Sequence, residues 1–329
     1  MKACATTLAL GLALFASSPS LADGPRTPPL GLDAYMPVPA ANPLTKEKIE
    51  LGRKLFFDPV LSRDRTLSCA TCHDPKLGFT DTKPVAVGVD GQKGTRRSPR
   101  LINRGYGKLF FWDGRAASLE EQVLQPIQNP IEMAMTLEGV EARLRGDTAY
   151  VAGFQKSFGR PPDADALQQA LASYVRTIVS GNSPYDRYVA GEAEALSAAQ
   201  RRGLDIFRGK GNCSVCHLGP NLTDEEFHNT GVGWKNGASE DHGRAKVTGD
   251  TTDTGAFKTP TLREIAATGP YMHDGSLATL ADVIEFYDKG GERDPNLSME
   301  MQRLDLTPTE KADLAEFLRA LRGEVREGL

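Results

Sequence analysis

The sequence has no long basic run, no low-complexity segment and no heptad repeat, and it has no apolar stretch long enough to cross a membrane. A membrane-spanning helix needs about 20 apolar residues, so a membrane anchor is excluded. Without a basic run, and with a formal net charge of −4, the chain is a poor partner for nucleic acid. Histidine and cysteine are scarce, with five of each in 329 residues. Their positions therefore carry most of the chemical information. The remaining composition, 40% hydrophobic and 25% charged, is that of an ordinary globular protein.

The chain opens MKACATTLALGLALFASSPSLADG, with one lysine, a short apolar run and small residues ending Ser20-Leu21-Ala22. This pattern reads as a secretory signal over residues 1–22, cleaved after Ala22, and predicts an exported, periplasmic protein. Cys4 leaves with that segment and has no lipobox-like context. The chain beyond Ala22 is long enough for two ordinary domains.

The other four cysteines stand as Cys69-Ala-Thr-Cys72-His73 and Cys213-Ser-Val-Cys216-His217. In an oxidising compartment two disulfides would be the default. The spacing argues otherwise, because each stretch is C-x-x-C-H, the attachment pattern of c-type haem. Two thiols three residues apart can form thioethers with the two haem vinyl groups. The next residue then lies under the iron, which makes His73 and His217 the proximal ligands. Even one accidental match in so sparse a chain is about a one-in-a-thousand event. The competing readings are a zinc site of four thiolates and paired thioredoxin-like motifs, which need a βαβ context absent here. Two motifs that use every remaining cysteine indicate a two-haem cytochrome.

The surroundings of the motifs repeat. LTKEKIELGRKLFF (44–57) precedes the first and LSAAQRRGLDIF (196–207) the second. Both read as helices with Thr or Ser near the start and with Gly52 or Gly203 one helical turn before Phe56 or Phe207. Each motif is later followed by an apolar-striped helix, DALQQALASYVRTIV (165–179) or PTEKADLAEFLRAL (308–321). The pattern predicts a mostly α protein of two tandem cytochrome c-like domains, 23–185 and 186–329, each with one covalently bound c-type haem. SGNSPYDRYVAGEA (180–193) reads as the connector, and the polar, Gly-rich stretch 219–258 as a long loop.

Such a protein can relay electrons between two six-coordinate irons. As an enzyme it needs an open iron face with an acid–base group above it. No histidine occurs between residues 74 and 112, and no methionine follows His73 until Met133 and Met135. The first haem is therefore expected to lack a side-chain distal ligand, with Met133 as the standing alternative.

Four stretches carry a resemblance that runs from 44 to 322: LGRKLFFDPVLSRDRTLSCATCHDP, FFWDGRAASLEEQVLQPIQNPIEMAM, NCSVCH and KTPTLREIAATGPYMHDGS. The chain resembles the bacterial diheme cytochrome c peroxidases, and more closely their MauG branch. The resemblance implies a first haem that reacts with hydrogen peroxide and a second, electron-transfer haem. It puts Trp112 between the haems and makes Glu132 the distal glutamate. Gln122 and Pro126 match further distal-pocket positions, Pro126 being the MauG-type residue. A carboxylate near the iron suits O–O heterolysis, which moves a proton from one oxygen to the other. By residue type alone, Glu132 could face solvent and Trp112 could be core.

Conventional members carry a histidine after the first motif that must leave the iron before peroxide enters. This chain has none there, which favours a first haem open at rest. Conventional members also ligate the second haem with a methionine on the helix after PYxHDG, where this chain has Tyr287, as in MauG. Leu280, Val283, Ile284 and Tyr287 share a helical face, so the ring points inward. A core tyrosine would do the same. Met272 and His273 are then not axial ligands, although His273 can support the site. An anionic phenolate stabilises ferric and high-valent iron. The resemblance thus implies a high-valent diheme state spent at long range on an external donor, a periplasmic protein. The alternatives are a conventional peroxidase fed by a small cytochrome or cupredoxin, and a non-enzymatic diheme carrier. Calcium is also implied, held by carbonyls matching Thr268 and Pro270. Its third contact is usually Asn in an RN(S/T)P motif, but this chain reads Arg96-Arg97-Ser98-Pro99, and Arg97 offers donors only.

Overall fold

The computed structural model describes residues 27–328, so the signal expected over 1–22 lies outside the described residues. Eleven α-helices carry the described chain. The first seven are α1 Lys46–Phe57, α2 Cys69–Cys72, α3 Leu119–Gln128, α4 Leu137–Arg145, α5 Thr148–Phe158, α6 Ala164–Arg176 and α7 Pro184–Val189. The others are α8 Ala198–Arg208, α9 Ala245–Thr248, α10 Leu280–Asp288 and α11 Pro308–Arg319. Strands are short and form antiparallel pairs: β1 Val179–Gly181 with β6 Glu324–Arg326, β2 Phe227–Asn229 with β5 Ala256–Lys258, and β3 Trp234–Lys235 with β4 Ala238–Ser239. The fold is mostly α, as the sequence indicates. Among the described residues no helix is long and apolar enough to cross a membrane.

One packing device is used twice. Thr45 Oγ1 accepts from Lys48 N and starts α1, and a reciprocal Ser197–Gln200 capping box starts α8. Each helix then crosses its partner at a glycine. A Cβ on Gly52 would lie 2.0 Å from the Ala170 carbonyl oxygen of α6, and one on Gly203 would lie 2.0 Å from that of Asp313 in α11. One turn further on, Phe56 meets Tyr174 and Phe207 meets Phe317, each with ring centroids 5.0 Å apart. Around these crossings lie two apolar cores. One gathers residues such as Leu55, Ile102, Ile127, Phe154 and Leu171, the other Leu204, Ile284, Leu314 and Leu321.

Two stretches read as connections are more ordered than expected. The 180–193 segment includes α7, where buried Asp186 takes Arg263 in a two-point pair at 2.8 and 2.9 Å. The 219–258 segment holds two ribbons and α9 rather than a bare loop. Its own polar side chains staple it. The Asn229 side chain donates to Thr254 O and accepts from Gly231 N.

The two cores are tied by charge. Arg104 makes a two-point pair with Glu225 at 2.7 and 3.1 Å, and Lys258 Nζ joins Glu225 at 3.4 Å. Burial pushes the Glu225 carboxyl up, but Arg104 and Lys258 outweigh it and hold its pKa down at about 2. Arg96 bridges Asp113 and Asp241 at 2.7 and 2.6 Å.

Gly52→Ala or Gly203→Ala should lower the unfolding temperature, because overpacking costs about 1–3 kcal/mol. Alanine's better helix propensity, about 1 kcal/mol, predicts the opposite sign, so a scan of each holoprotein decides which effect wins. For Glu225, whose folded pKa is depressed, the stabilisation is full above about 4.5 and is lost as pH falls towards about 2. Glu225→Gln should remove that acid-dependent part of the stability curve. It should also cost about 3–5 kcal/mol at neutral pH, since Arg104 and Lys258 are left buried without their partner.

Candidate functional site

Each C-x-x-C-H opens onto its own cavity. The first motif forms the single turn α2, begun by a reciprocal pair between Ser68 and Thr71. Positions three apart share a helix face, so Cys69 and Cys72 stand on one side. The backbone N–H of His73 closes the turn on Cys69 O at 3.0 Å, and that of His217 closes the second motif on Cys213 O at 2.9 Å. Among the described residues all four thiols are free of disulfide bonds. Burial pushes the Cys69 and Cys213 thiols up to about 12 and Cys216 to about 11. Two thiol pairs in two separate cavities do not make a four-thiolate zinc site.

The histidines are set up alike. His73 Nδ1 lies 3.1 Å from Phe79 O, and His217 Nδ1 lies 3.1 Å from Leu222 O. A carbonyl only accepts, so Nδ1 carries the proton in each ring and Nε2 keeps its lone pair. Burial holds both imidazoles neutral, with pKa values lowered to about 4 despite those hydrogen bonds. A neutral ring fixed by a carbonyl at Nδ1, with Nε2 free, is the form that binds iron.

The first cavity, of about 160 Å³, is lined by Cys69, Cys72, His73, Gln122, Pro126, Glu132 and Met133. Gln122 and Pro126 come from α3, Pro126 lying inside the helix. Glu132 sits on the next turn, whose backbone folds back on Asn129. Glu132 Oε1 accepts from Asn129 Nδ2 at 2.6 Å. Burial raises the Glu132 pKa, while Asn129 and the Arg115 charge pull the other way.

The second cavity, of about 220 Å³, is lined by Cys213, Cys216, His217, Met272, His273 and Tyr287, with apolar walls from Phe207, Leu262, Ile284 and Leu318. Tyr287 reaches it from α10, whose Leu280 and Ile284 are buried. Among the described residues its hydroxyl has no hydrogen-bond partner. Burial, then the Cys213 and Cys216 thiols, push the phenol well above its usual range. His273 is stacked on Phe257, with ring centroids 3.6 Å apart. Met272, His273 and Tyr287 thus all line one cavity.

Trp112 and Arg97 line both cavities. The indole N–H of Trp112 donates to Arg97 O at 2.9 Å, and its carbonyl accepts from Lys258 N at 2.8 Å. Thr268 also lines the second cavity, while Pro270 lines neither. The Thr268 carbonyl is occupied by Arg97 Nη2 at 2.8 Å.

Sequence reasoning missed two residues here. Asn129, which holds Glu132, sits within the stretch QNPIEMAM but shows no role until the turn closes. Arg115 lines the first cavity with its guanidinium carbon 3.4 Å from the centroid of the Phe111 ring.

Two thiols and one free imidazole nitrogen in each apolar cavity fit two covalently attached haems. Known proteins with the same features agree. The family model for di-haem cytochrome c peroxidase matches residues 46–194. The methylamine utilization protein MauG of Methylorubrum extorquens is 44% identical over 293 residues, 88% of this chain and 82% of that protein. The cytochrome c551 peroxidase of Pseudomonas aeruginosa is 38% identical, over 86% of this chain and 80% of that protein. The crystal structure of a MauG-like protein associated with microbial copper homeostasis superposes with a TM-score of 0.83. It is 36% identical and covers 89% of this chain and 95% of that one. From its two haem-binding motifs to its fold, this chain belongs to the di-haem cytochrome c peroxidase family.

Proposed function

We propose that this protein is a periplasmic diheme oxidoreductase of MauG type that consumes hydrogen peroxide and oxidises an external protein at long range. The observation that carries this reading is the position of Trp112 in the walls of both cavities. It goes with an acid–base carboxylate in one cavity and, in the other, a tyrosine hydroxyl without a hydrogen-bond partner among the described residues. Labour would divide between residues 23–185, around the peroxide-reacting haem, and 186–329, around the electron-transfer haem.

When bound, the two haems supply the redox chemistry, giving the two electrons that reduce peroxide to water and recovering them from the donor. Glu132 takes a proton from one peroxide oxygen and returns it to the other, so that the leaving oxygen departs as water. Its raised pKa suits a group that must both accept and release that proton. Asn129 ties up Oε1 and leaves the second oxygen for this work. Gln122, Pro126 and Arg115 wall the pocket and orient its contents. Trp112, fixed at its ring N–H, offers a stepping stone for an electron between the cavities. Tyr287, which lines the second cavity, would help hold the haem there through its phenol oxygen. Burial alone keeps its phenol protonated, and a metal charge at the oxygen favours the phenolate. Calcium held by Thr268 and Pro270 has no place in this mechanism, because Arg97 already occupies the Thr268 carbonyl.

The deciding experiment is a stoichiometric peroxide titration of the fully ferric holoprotein without donor, followed by EPR and optically into the near-infrared. Both ferric signals should disappear together and a haem–haem charge-resonance band should appear. Trp112→Phe should keep both haems and lose the joint response. A protein that stays inert until one haem is pre-reduced is instead a conventional peroxidase, the reading favoured by its likeness to the cytochrome c551 peroxidase.

Glu132→Gln should slow peroxide consumption by about 10²–10⁴-fold. In the parent protein the rate should fall as pH drops through a pKa above the ordinary carboxylate value, because the base must be ionised. Asn129→Ala removes a hydrogen bond that favours the carboxylate, so this acid limb should move to higher pH in stopped-flow profiles.

A further inference from the structure

A buried positive charge with an unusual set of partners lies beside Trp112. Arg97 is 6% exposed. A single terminal nitrogen, Nη2, faces three main-chain carbonyl oxygens: Asp81 at 2.6 Å, Thr268 at 2.8 Å and Gly269 at 3.3 Å. Asp81 comes after the first haem-binding motif, whereas Thr268 and Gly269 precede PYMHDG in the second half. One nitrogen thus gathers carbonyls from both halves of the molecule.

That nitrogen has two hydrogens for three acceptors. Converging carbonyls in excess of hydrogens suit a point of positive charge better than a set of directed hydrogen bonds. The rest of the guanidinium tells the same way. Among the described residues its Nε is buried without a partner, so the planar fork that normally recommends arginine is left unused. The Asp81 carboxylate, held by Ser98 Oγ at 3.3 Å, brings compensating negative charge close by. The Arg97 main chain completes the arrangement. Its N–H donates to His273 O at 2.7 Å, and its carbonyl receives the indole N–H of Trp112.

We propose that the Arg97 guanidinium fills a cation site built from the Asp81, Thr268 and Gly269 carbonyls, so that this protein joins its two haem cavities without a metal ion. A divalent cation sharing those oxygens would sit against a buried guanidinium, and the repulsion would be weakly screened. The calcium implied by the family resemblance and the Arg97 side chain therefore exclude one another. Arg97 acts as a positioning residue, holding the loops around Trp112 with a charge the chain itself supplies.

The test begins with the unmodified holoprotein, dialysed against a calcium chelator and assayed for metal by mass spectrometry, with haem EPR recorded before and after. No stoichiometric calcium and unchanged haem signals are expected. The Arg97→Asn holoprotein should take up one calcium per chain, and its haem signals should shift on adding calcium and revert with chelator. Arg97→Lys should remain indifferent to calcium, because an ammonium is also a point charge and has three donors. One chelatable equivalent of calcium in the unmodified protein overturns the proposal, and so does an Arg97→Asn holoprotein that ignores calcium. If Arg97→Asn fails to fold, the unmodified protein still decides. Metal content is read without turnover, so this result stands apart from whether peroxide is the substrate.

Discussion

The indole of Trp112 belongs to the wall of both cavities, and two buried residues hold it there. Its ring N–H is held by the Arg97 carbonyl and its own carbonyl by the Lys258 amide. Each of these residues is fixed by a buried charge that reaches across the molecule. Arg97 gathers carbonyls from both halves, and Lys258 shares Glu225 with Arg104. Buried charges of this kind are weak sources of net stability, because desolvation takes back much of what pairing supplies. Their use here is geometric. They leave the indole little freedom to drift relative to either haem pocket.

The two halves repeat one another on the helix-crossing side and diverge on the side where chemistry happens. The glycine crossings, the aromatic pair one turn later and the Nδ1-to-carbonyl histidine recur in both. In the other residues that line each cavity the halves part. The first presents Glu132, with a raised pKa and one oxygen tied to Asn129. The second presents a phenol whose hydroxyl has no partner among the described residues. A duplicated scaffold thus supports one pocket with a carboxyl and one with a phenol, and the difference rests on a few side chains.

Much of this was legible in the sequence because it is local. A C-x-x-C-H fixes thiols and imidazole within one turn, and the helices that cross at Gly52 and Gly203 announce themselves by periodicity and caps. Tyr287 was legible as an inward-facing residue, but lining alone does not separate it from Met272 and His273, since all three border the same cavity. The order within 219–258 was not legible, because short strands held by one asparagine leave no periodic trace. Arg97 was readable as a poor calcium ligand but not as the occupant of the carbonyl cluster. Its partners lie far along the chain and are main-chain atoms, which no residue type encodes.

The thiols carry a consequence for the order of assembly. In the closed fold Cys69 and Cys213 are partly buried, and that burial pushes both thiols up to about 12, away from the reactive thiolate at neutral pH. Thiols so suppressed are poor nucleophiles. An open and solvated chain offers both thiols nearer their ordinary pKa, which favours attachment before the helices close. The finished structure in this sense bears on the sequence of its own making: the fold that encloses the thiols also disfavours the form in which they react.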